Sequence, residues 1–264
     1  MAAEREIRFA RRRRIEAGLP LVNLLIEVAD ARAPVATRSP VLSGGRFRAK
    51  ARVVALLRED LAVPTTTRAW LRALGGATVA LDAASGRGLD RLLAAVRQAR
   101  PDGEVRAMIV GLPNLGKSSL VNRLAGAARA ATGNRPGITT GEQWVRARPW
   151  LRLLDEPGVL PGGSSPLLAA LGCVPDGAYD PVQAFAAAWA VPAMRAALAP
   201  AGAPCPPADG WDGALAAIAR EAGALRPGGS PDIDRAARQT LARLRDGRLG
   251  RLSLEEPLGA APAG

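Results

Sequence analysis

Gly111-Leu-Pro-Asn-Leu-Gly-Lys-Ser118 fits the pattern G-x-x-x-x-G-K-[ST] without a gap. The apolar run Val105–Val110 before it reads as a buried strand, and Ser118–Leu124 after it has the apolar spacing of a helix. Strand, glycine-rich loop and helix in that order separate a phosphate-binding loop from a chance match. Gly111 and Gly116 are expected to let the backbone curl so that successive N–H groups face one anion. The helix beginning near Lys117 points the positive end of its dipole at the same place. Lys117 then reaches the β- and γ-phosphates of a bound nucleotide, and the Ser118 hydroxyl ligates Mg²⁺. The competing reading is a glycine-rich turn that binds nothing, and the strand–loop–helix context weighs against it.

Upstream, Leu21–Ala29 is an apolar run leading into Asp30-Ala-Arg-Ala-Pro34. Arg52–Leu57 is a second run, closed by Arg58-Glu-Asp60. Trp70–Leu74 lies in a helical stretch that ends at Gly75-Gly76. Thr78–Leu81 reads as a third strand, followed by Ala83-Ala-Ser-Gly-Arg-Gly88 and a helix over Leu89–Val96. Strands alternating with helices predict an α/β fold, a mostly parallel sheet with helices on both faces. Downstream, Gly133-Asn-Arg-Pro-Gly-Ile-Thr-Thr140 is turn-rich and ends in two hydroxyls. Trp150–Leu154 is then a strand running into Asp155-Glu-Pro-Gly158. An aspartate at the end of a strand beside a phosphate loop suits the water shell of Mg²⁺. These segments together read as a nucleoside-triphosphate switch site.

Composition narrows the chemistry. The 264 residues carry a formal charge of +12 with no histidine, and Lys50 and Lys117 are the only lysines. Arginine grips phosphate through a planar fork, so the balance suits a nucleic-acid partner. Codon bias in a GC-rich genome explains arginine over lysine, but not the net excess of positive charge. Arg5, Arg8 and the run Arg11–Arg14 form either a solvated basic helix or an arm that touches phosphates. Without histidine, Ser–His triads, Cys–His dyads and His–metal sites are excluded. Cys173 and Cys205 are too few for a disulfide framework, and no disulfide partner is expected. No apolar run is long enough to span a bilayer, and the N-terminal stretch lacks a signal peptide's apolar core. A soluble, cytoplasmic protein with no membrane partner is expected. Composition shifts near Pro161-Gly-Gly163, and helical spacing follows at 166–172, 181–199, 211–224 and 231–246. An α/β domain over 1–162 and a small all-helical domain over 163–264 are therefore expected.

The order of these pieces resembles the circularly permuted GTPases of ribosome assembly. In ordinary small GTPases the phosphate loop comes first and the base-reading loop near the end. Here Leu57-Arg-Glu-Asp60 and Asp82-Ala83 precede the phosphate loop, and Arg135–Thr140 and Asp155–Gly158 follow it. The likeness extends from about residue 20 to the closing Leu249-Gly-Arg-Leu-Ser-Leu-Glu-Glu-Pro257, and includes Asp30-Ala-Arg-x-Pro34. It implies a circularly permuted P-loop GTPase domain followed by a small all-α domain that contacts ribosomal RNA of the large subunit. Asn114, Leu115, Gly116, Lys117, Ser118 and Ser119 are implied to bind GTP or GDP, together with Arg58, Asp60, Asp82, Ala83 and Gly158. Lys117, Thr139 and Gly158 are implied to serve hydrolysis, with Thr140 the fallback for Thr139. Ser118, Thr139 and Asp155 are the implied Mg²⁺ set. Asn114 is similar to the asparagine that holds a potassium ion in cation-dependent relatives.

Departures from the family pattern shape two functional readings. Leu57 and Arg58 stand where the family reads guanine with Asn-Lys, although Asp60 is kept. The family's N-terminal Phe-Pro-Gly-His-Met segment is missing, and Ile7 falls where its histidine would lie. Val159 follows Gly158 where other GTPases place glutamine, and Glu156 replaces a threonine. The first reading is a slowly hydrolysing GTP-dependent assembly factor of the large ribosomal subunit. The second is an RNA- or ribosome-binding module that retains a nucleotide but has lost efficient hydrolysis and strict guanine selectivity.

Overall fold

The computed structural model describes residues 2–132, 144–155, 165–175, 177–199 and 205–257. Helix α1 (Ala2–Gly18) leads into strand β1 (Leu24–Asp30), the short helix α2 (Gly45–Arg48) and β2 (Ala51–Leu57). Helix α3 (Pro64–Leu74), β3 (Thr78–Ala80), α4 (Leu89–Ala99) and β4 (Val105–Gly111) follow, then α5 (Lys117–Thr132). Strands β5 (Trp144–Arg148) and β6 (Leu151–Asp155) complete one sheet. Helices α6 (Pro166–Ala170), α7 (Pro181–Trp189), α8 (Pro192–Leu198), α9 (Trp211–Glu221) and α10 (Ile233–Arg245) close the chain.

The sheet order is β3-β2-β1-β4-β6-β5, parallel throughout except for the antiparallel edge pair of β5 with β6. Every residue of β1 is buried, as a central parallel strand covered on both faces requires. On one face Leu24, Ile26 and Val28 pack with Leu92 and Val96 of α4 and Leu120 and Leu124 of α5. On the other, Leu25, Met108, Val110 and Leu154 pack with Ile15 of α1 and Phe47 of α2. The chain builds outward from β1 to β3 and then returns to place β4 on the other side of β1. That reversal opens a crevice at the carboxyl ends of β1 and β4, where ligands bind in doubly wound sheets.

The parallel sheet and its two helical layers match the expected α/β class. Three local readings need correction. The edge strand β5 was not expected; its partner is set by the tight Pro149-Trp150 connection to β6, which makes a hairpin. The helical stretch expected over 181–199 is two helices, because Pro192 cannot continue α7 and instead starts α8. Gly111 does not supply a positive φ. It lies opposite Val28 in the ladder, and a Cβ there would stand 2.7 Å from the Val28 carbonyl oxygen. It is glycine because two backbones approach closely.

Helices α6–α10 are held partly against the sheet and partly among themselves. Leu168, Ala184, Met194, Leu241 and Leu244 join the apolar cluster that includes β1 and β4. Phe185, Trp189, Leu215, Ala219 and Ala236 form a second cluster among α7, α9 and α10. Asp180 caps α7 by accepting from the Val182 and Gln183 amides, and Asp232 caps α10 at the Arg235 amide.

A buried ion pair joins the two parts. Asp30, at the end of β1, accepts from Arg32 Nε at 2.9 Å and from Nη2 at 2.8 Å, and both side chains are shielded from water. The other arm of Arg32, Nη1, donates to the Leu244 carbonyl of α10 at 2.8 Å. Burial alone would raise the Asp30 pKa, but the Arg32 charge and hydrogen bonds, aided by Arg58, hold it below the ordinary carboxylate value.

Removing one partner strands a buried charge, so Arg32→Ala is expected to lower stability by about 3–5 kcal/mol in urea unfolding. A loss below about 1 kcal/mol, typical of an exposed pair, would contradict this account. Because the folded Asp30 pKa is depressed, its contribution is present above the unfolded value of about 3.9 and is lost as pH falls through the folded value. Stability of the parent is therefore expected to fall more steeply with acid in that window than that of Asp30→Asn. Gly111→Ala forces β4 and β1 apart and is expected to destabilise by about 1–3 kcal/mol. An unchanged unfolding midpoint would show that the strands yield freely.

Candidate functional site

The phosphate loop leaves the crevice between β1 and β4. Leu112 and Leu115 are fully buried and anchor it to the core. Gly116 has φ +92° and Asn114 φ +58°, left-handed conformations that turn the loop back on itself. The Leu120 amide makes a helical bond to the Gly116 carbonyl, so the amides of the first turn of α5 are available to an anion. Lys117 is buried, and its ammonium donates to the Leu112 carbonyl at 2.6 Å, which holds the charge inside the loop. Ser118 and Ser119 are exposed at the start of α5.

The Leu57–Asp60 loop is fastened to this one. Arg58, itself at φ +61°, donates to the Asn114 carbonyl at 2.6 Å and approaches Asp30 Oδ2 at 3.4 Å. Leu57 is buried in the core, close enough that a Cβ on Gly116 would stand 3.5 Å from its Cδ1. Leu57 therefore supports the phosphate loop from below instead of presenting a polar edge. Asp60 lies half-buried in a 3₁₀ turn over Glu59–Leu61, and its carboxylate hydrogen-bonds to nothing among the described residues.

Asp82 folds its carboxylate onto its own loop, accepting from the Ala84 and Ser85 amides at 2.8 and 3.1 Å. Its burial works against ionisation, but these hydrogen bonds and Arg87 outweigh it and lower its pKa. Arg123 of α5 donates to the Ala83 carbonyl at 3.3 Å and so fixes that segment against the phosphate-loop helix. Between them lies a cavity of about 610 Å³ lined by Ala83, Ala84, Ser119, Asn122, Arg123 and Gly126. It has the size of a small-molecule site and lies between the Ala83-Ala84 segment and one face of α5.

Asp155 ends β6 in register with Ile109 of β4, so its backbone reaches the same carboxyl edge. Its side chain, and the whole of Thr139, Thr140, Glu156, Gly158 and Val159, lie outside the described residues. The structure thus brings together Arg58, Asp60, Asp82, Ala83, and Asn114 through Ser119.

Residues beyond 162 complete the surroundings. The Asn114 side-chain amide donates to the Gly172 carbonyl after α6 at 2.9 Å. The Leu252 amide donates to the Leu61 carbonyl, and the Leu254 amide to that of Arg32. The Glu255 carboxylate accepts from the Val35 and Ala36 amides at 2.7 and 2.8 Å. Residues 252–256 therefore strap the loop after β2 to the end of β1. Arg32, Arg123 and this strap were not singled out as site-building residues from sequence; the Asp30-Ala-Arg-x-Pro34 and closing segments were the only signals. Arg245 donates to the Ala169 and Ala170 carbonyls and the Tyr179 hydroxyl. It holds the end of α6.

The family model described as 50S ribosome-binding GTPase matches residues 106–174. Ribosome biogenesis GTPase A of Bacillus licheniformis is 37% identical over 164 residues, an alignment covering 56% of this chain and 58% of that one. The protein of the same name from Thermotoga maritima is 31% identical over 259 residues, covering 95% of this chain and 92% of its own. The crystal structure of GNP-bound YlqF from T. maritima superposes with a TM-score of 0.72 at 30% identity, covering 93% of this chain and 97% of that one. With the phosphate loop, the permuted strand order and near full-length similarity in agreement, the chain belongs to the ribosome biogenesis GTPase A family.

Proposed function

We propose that this chain binds GTP, hydrolyses it slowly and acts in the cytoplasm as an assembly factor on the large ribosomal subunit. The observation that carries the reading is the preformed junction of two loops: Lys117 is buried in the phosphate loop, and Arg58 ties that loop to the one bearing Asp60. The names of the relatives and the 50S ribosome-binding description of the family supply the partner.

GTP fits the residues present. The α5 amides and Lys117 take the phosphates, and the nucleoside lies between the Arg58–Asp60 loop and the Asp82-Ala83 segment. The Arg58 fork is held by Asn114 and Asp30, which leaves its aliphatic stem to lie along the base. Asp60 accepts from guanine N1–H and the exocyclic amine. Mg²⁺ suits Ser118, Asp155 and Thr139, and when bound it neutralises charge on the β- and γ-phosphates. Potassium suits Asn114, whose amide nitrogen is occupied by Gly172 while Oδ1 remains as a ligand. Hydrolysis then rests on positioning and charge at Lys117, Thr139 and Gly158, without side-chain acid–base chemistry. The helical part over 163–264 and the arginines of α1 contribute contacts to ribosomal RNA. The second reading, a ribosome-binding module that keeps its nucleotide unturned, is favoured by the burial of Leu57 and the lack of any histidine. Single-turnover hydrolysis with and without large subunits separates the two.

Lys117→Ala is expected to lose a charge-assisted contact of about 1.5–3 kcal/mol, roughly ten- to a hundredfold in GTP affinity. Equal affinity of variant and parent in a titration with Mg²⁺ would overturn the site. Asp60→Ala is expected to reduce the preference for GTP over ATP by about 1–3 kcal/mol, because no polar group at Leu57 shares the work. Competition between the two nucleotides measures it, and an unchanged preference would place guanine recognition elsewhere.

A further inference from the structure

A groove of about 580 Å³ runs beside the base-reading loop, outside the nucleotide site, and is lined by arginines from three separate elements. Arg68 comes from α3, Arg87 and Arg91 flank the start of α4, and Arg251 comes from the strap that follows α10. Two carboxylates accompany them, Glu59 and Asp90. Glu59 is shared, at 3.0 Å from Arg91 and 3.9 Å from Arg87. Arg68 and Arg251 have no partner among the described residues.

The groove is built to hold guanidiniums in place. Arg91 Nη2 donates to both Glu59 and the Ala80 carbonyl, at 3.0 and 2.8 Å. Gly88, at φ +87°, makes room for it, since a Cβ there would stand 2.7 Å from Arg91 Nη2. The Nε and Nη1 donors of Arg91 remain available on a side chain that is half exposed. With both Nη2 hydrogens committed, Nε and Nη1 each offer a phosphate oxygen one charge-assisted hydrogen bond from a guanidinium already held in place, at little further ordering cost. Pro64 and Leu71 give the groove an apolar floor between the charged walls.

We propose that this groove binds the phosphodiester backbone of RNA, a contact made jointly by the sheet domain and the C-terminal strap. A single small anion does not need arginines spread over three elements along a groove, whereas successive phosphates do. The net positive charge of the chain adds attraction of the same sign. This inference rests on the large-subunit reading above and names a surface for it.

The test is Arg68→Ala/Arg251→Ala, read by pelleting with purified large ribosomal subunits and by filter binding to protein-free ribosomal RNA, each across a range of KCl. The salt slope of binding is expected to fall by about 0.7–0.9 for each arginine removed, on both probes. GTP affinity and the urea midpoint are expected to stay at the parent's values. Arg68→Lys/Arg251→Lys keeps the charges and is expected to keep the slope while binding more weakly. Unchanged slopes for the alanine variant on both probes would overturn the groove. A loss on intact subunits with none on protein-free RNA would overturn the RNA assignment in favour of a protein contact. A parent chain that bound neither probe would instead remove the large-subunit reading itself.

Discussion

The carboxylate of Asp30 and the guanidinium of Arg32 are buried together, and that pair ties the end of β1 to the last helix and, through Arg58, to the phosphate loop. An aspartate without water is tolerated only when its charge is matched and its oxygens are hydrogen-bonded. Arg32 supplies both, and its remaining arm is committed to the Leu244 carbonyl of α10. The second Asp30 oxygen lies 3.4 Å from Arg58, and Arg58 holds the Asn114 carbonyl of the phosphate loop. One network therefore runs from the phosphate loop through the base loop and the end of β1 to the last helix. Asp30 stands at its centre, shared between Arg32 and Arg58.

The sheet explains why the permuted order of segments does no harm to the site. In a parallel sheet all strands end on the same edge, so the loops after β1, β2, β3, β4 and β6 meet whatever their order along the chain. What the order does change is which segments serve as clamps. Here the strap over residues 252–256 and the turn at Gly172 close over loops encoded far earlier. The proposed RNA groove depends on the same closure, since Arg251 reaches it only while the Leu252 amide is held by Leu61.

Much of this was legible in the sequence where the signal is local. The phosphate loop, the buried strands and the helices after Pro166 follow from short-range patterns of apolar residues, glycine and proline. Non-local facts were not legible. The close approach that demands glycine at 111 comes from Val28 on a neighbouring strand. The half-buried edge strand β5 has a weak apolar pattern and is defined by its partner. Arg245 looks like any other arginine in a basic chain until Ala169, Ala170 and Tyr179 are placed around it. Arg32 stood in a recognised segment, but its bond to Leu244 spans most of the chain and leaves no trace in spacing.

The central claim is that nucleotide loops and the last helix form one cooperative unit through Asp30 and Arg32. Hydrogen exchange of the backbone amides, measured with and without GDP and Mg²⁺, tests it most directly. The account predicts added protection both in the first turns of α5, Lys117–Ala125, and in α10, Ile233–Leu244, with the gain in α10 abolished by Arg32→Ala. Protection confined to α5 in the parent chain, with α10 unchanged, would contradict it.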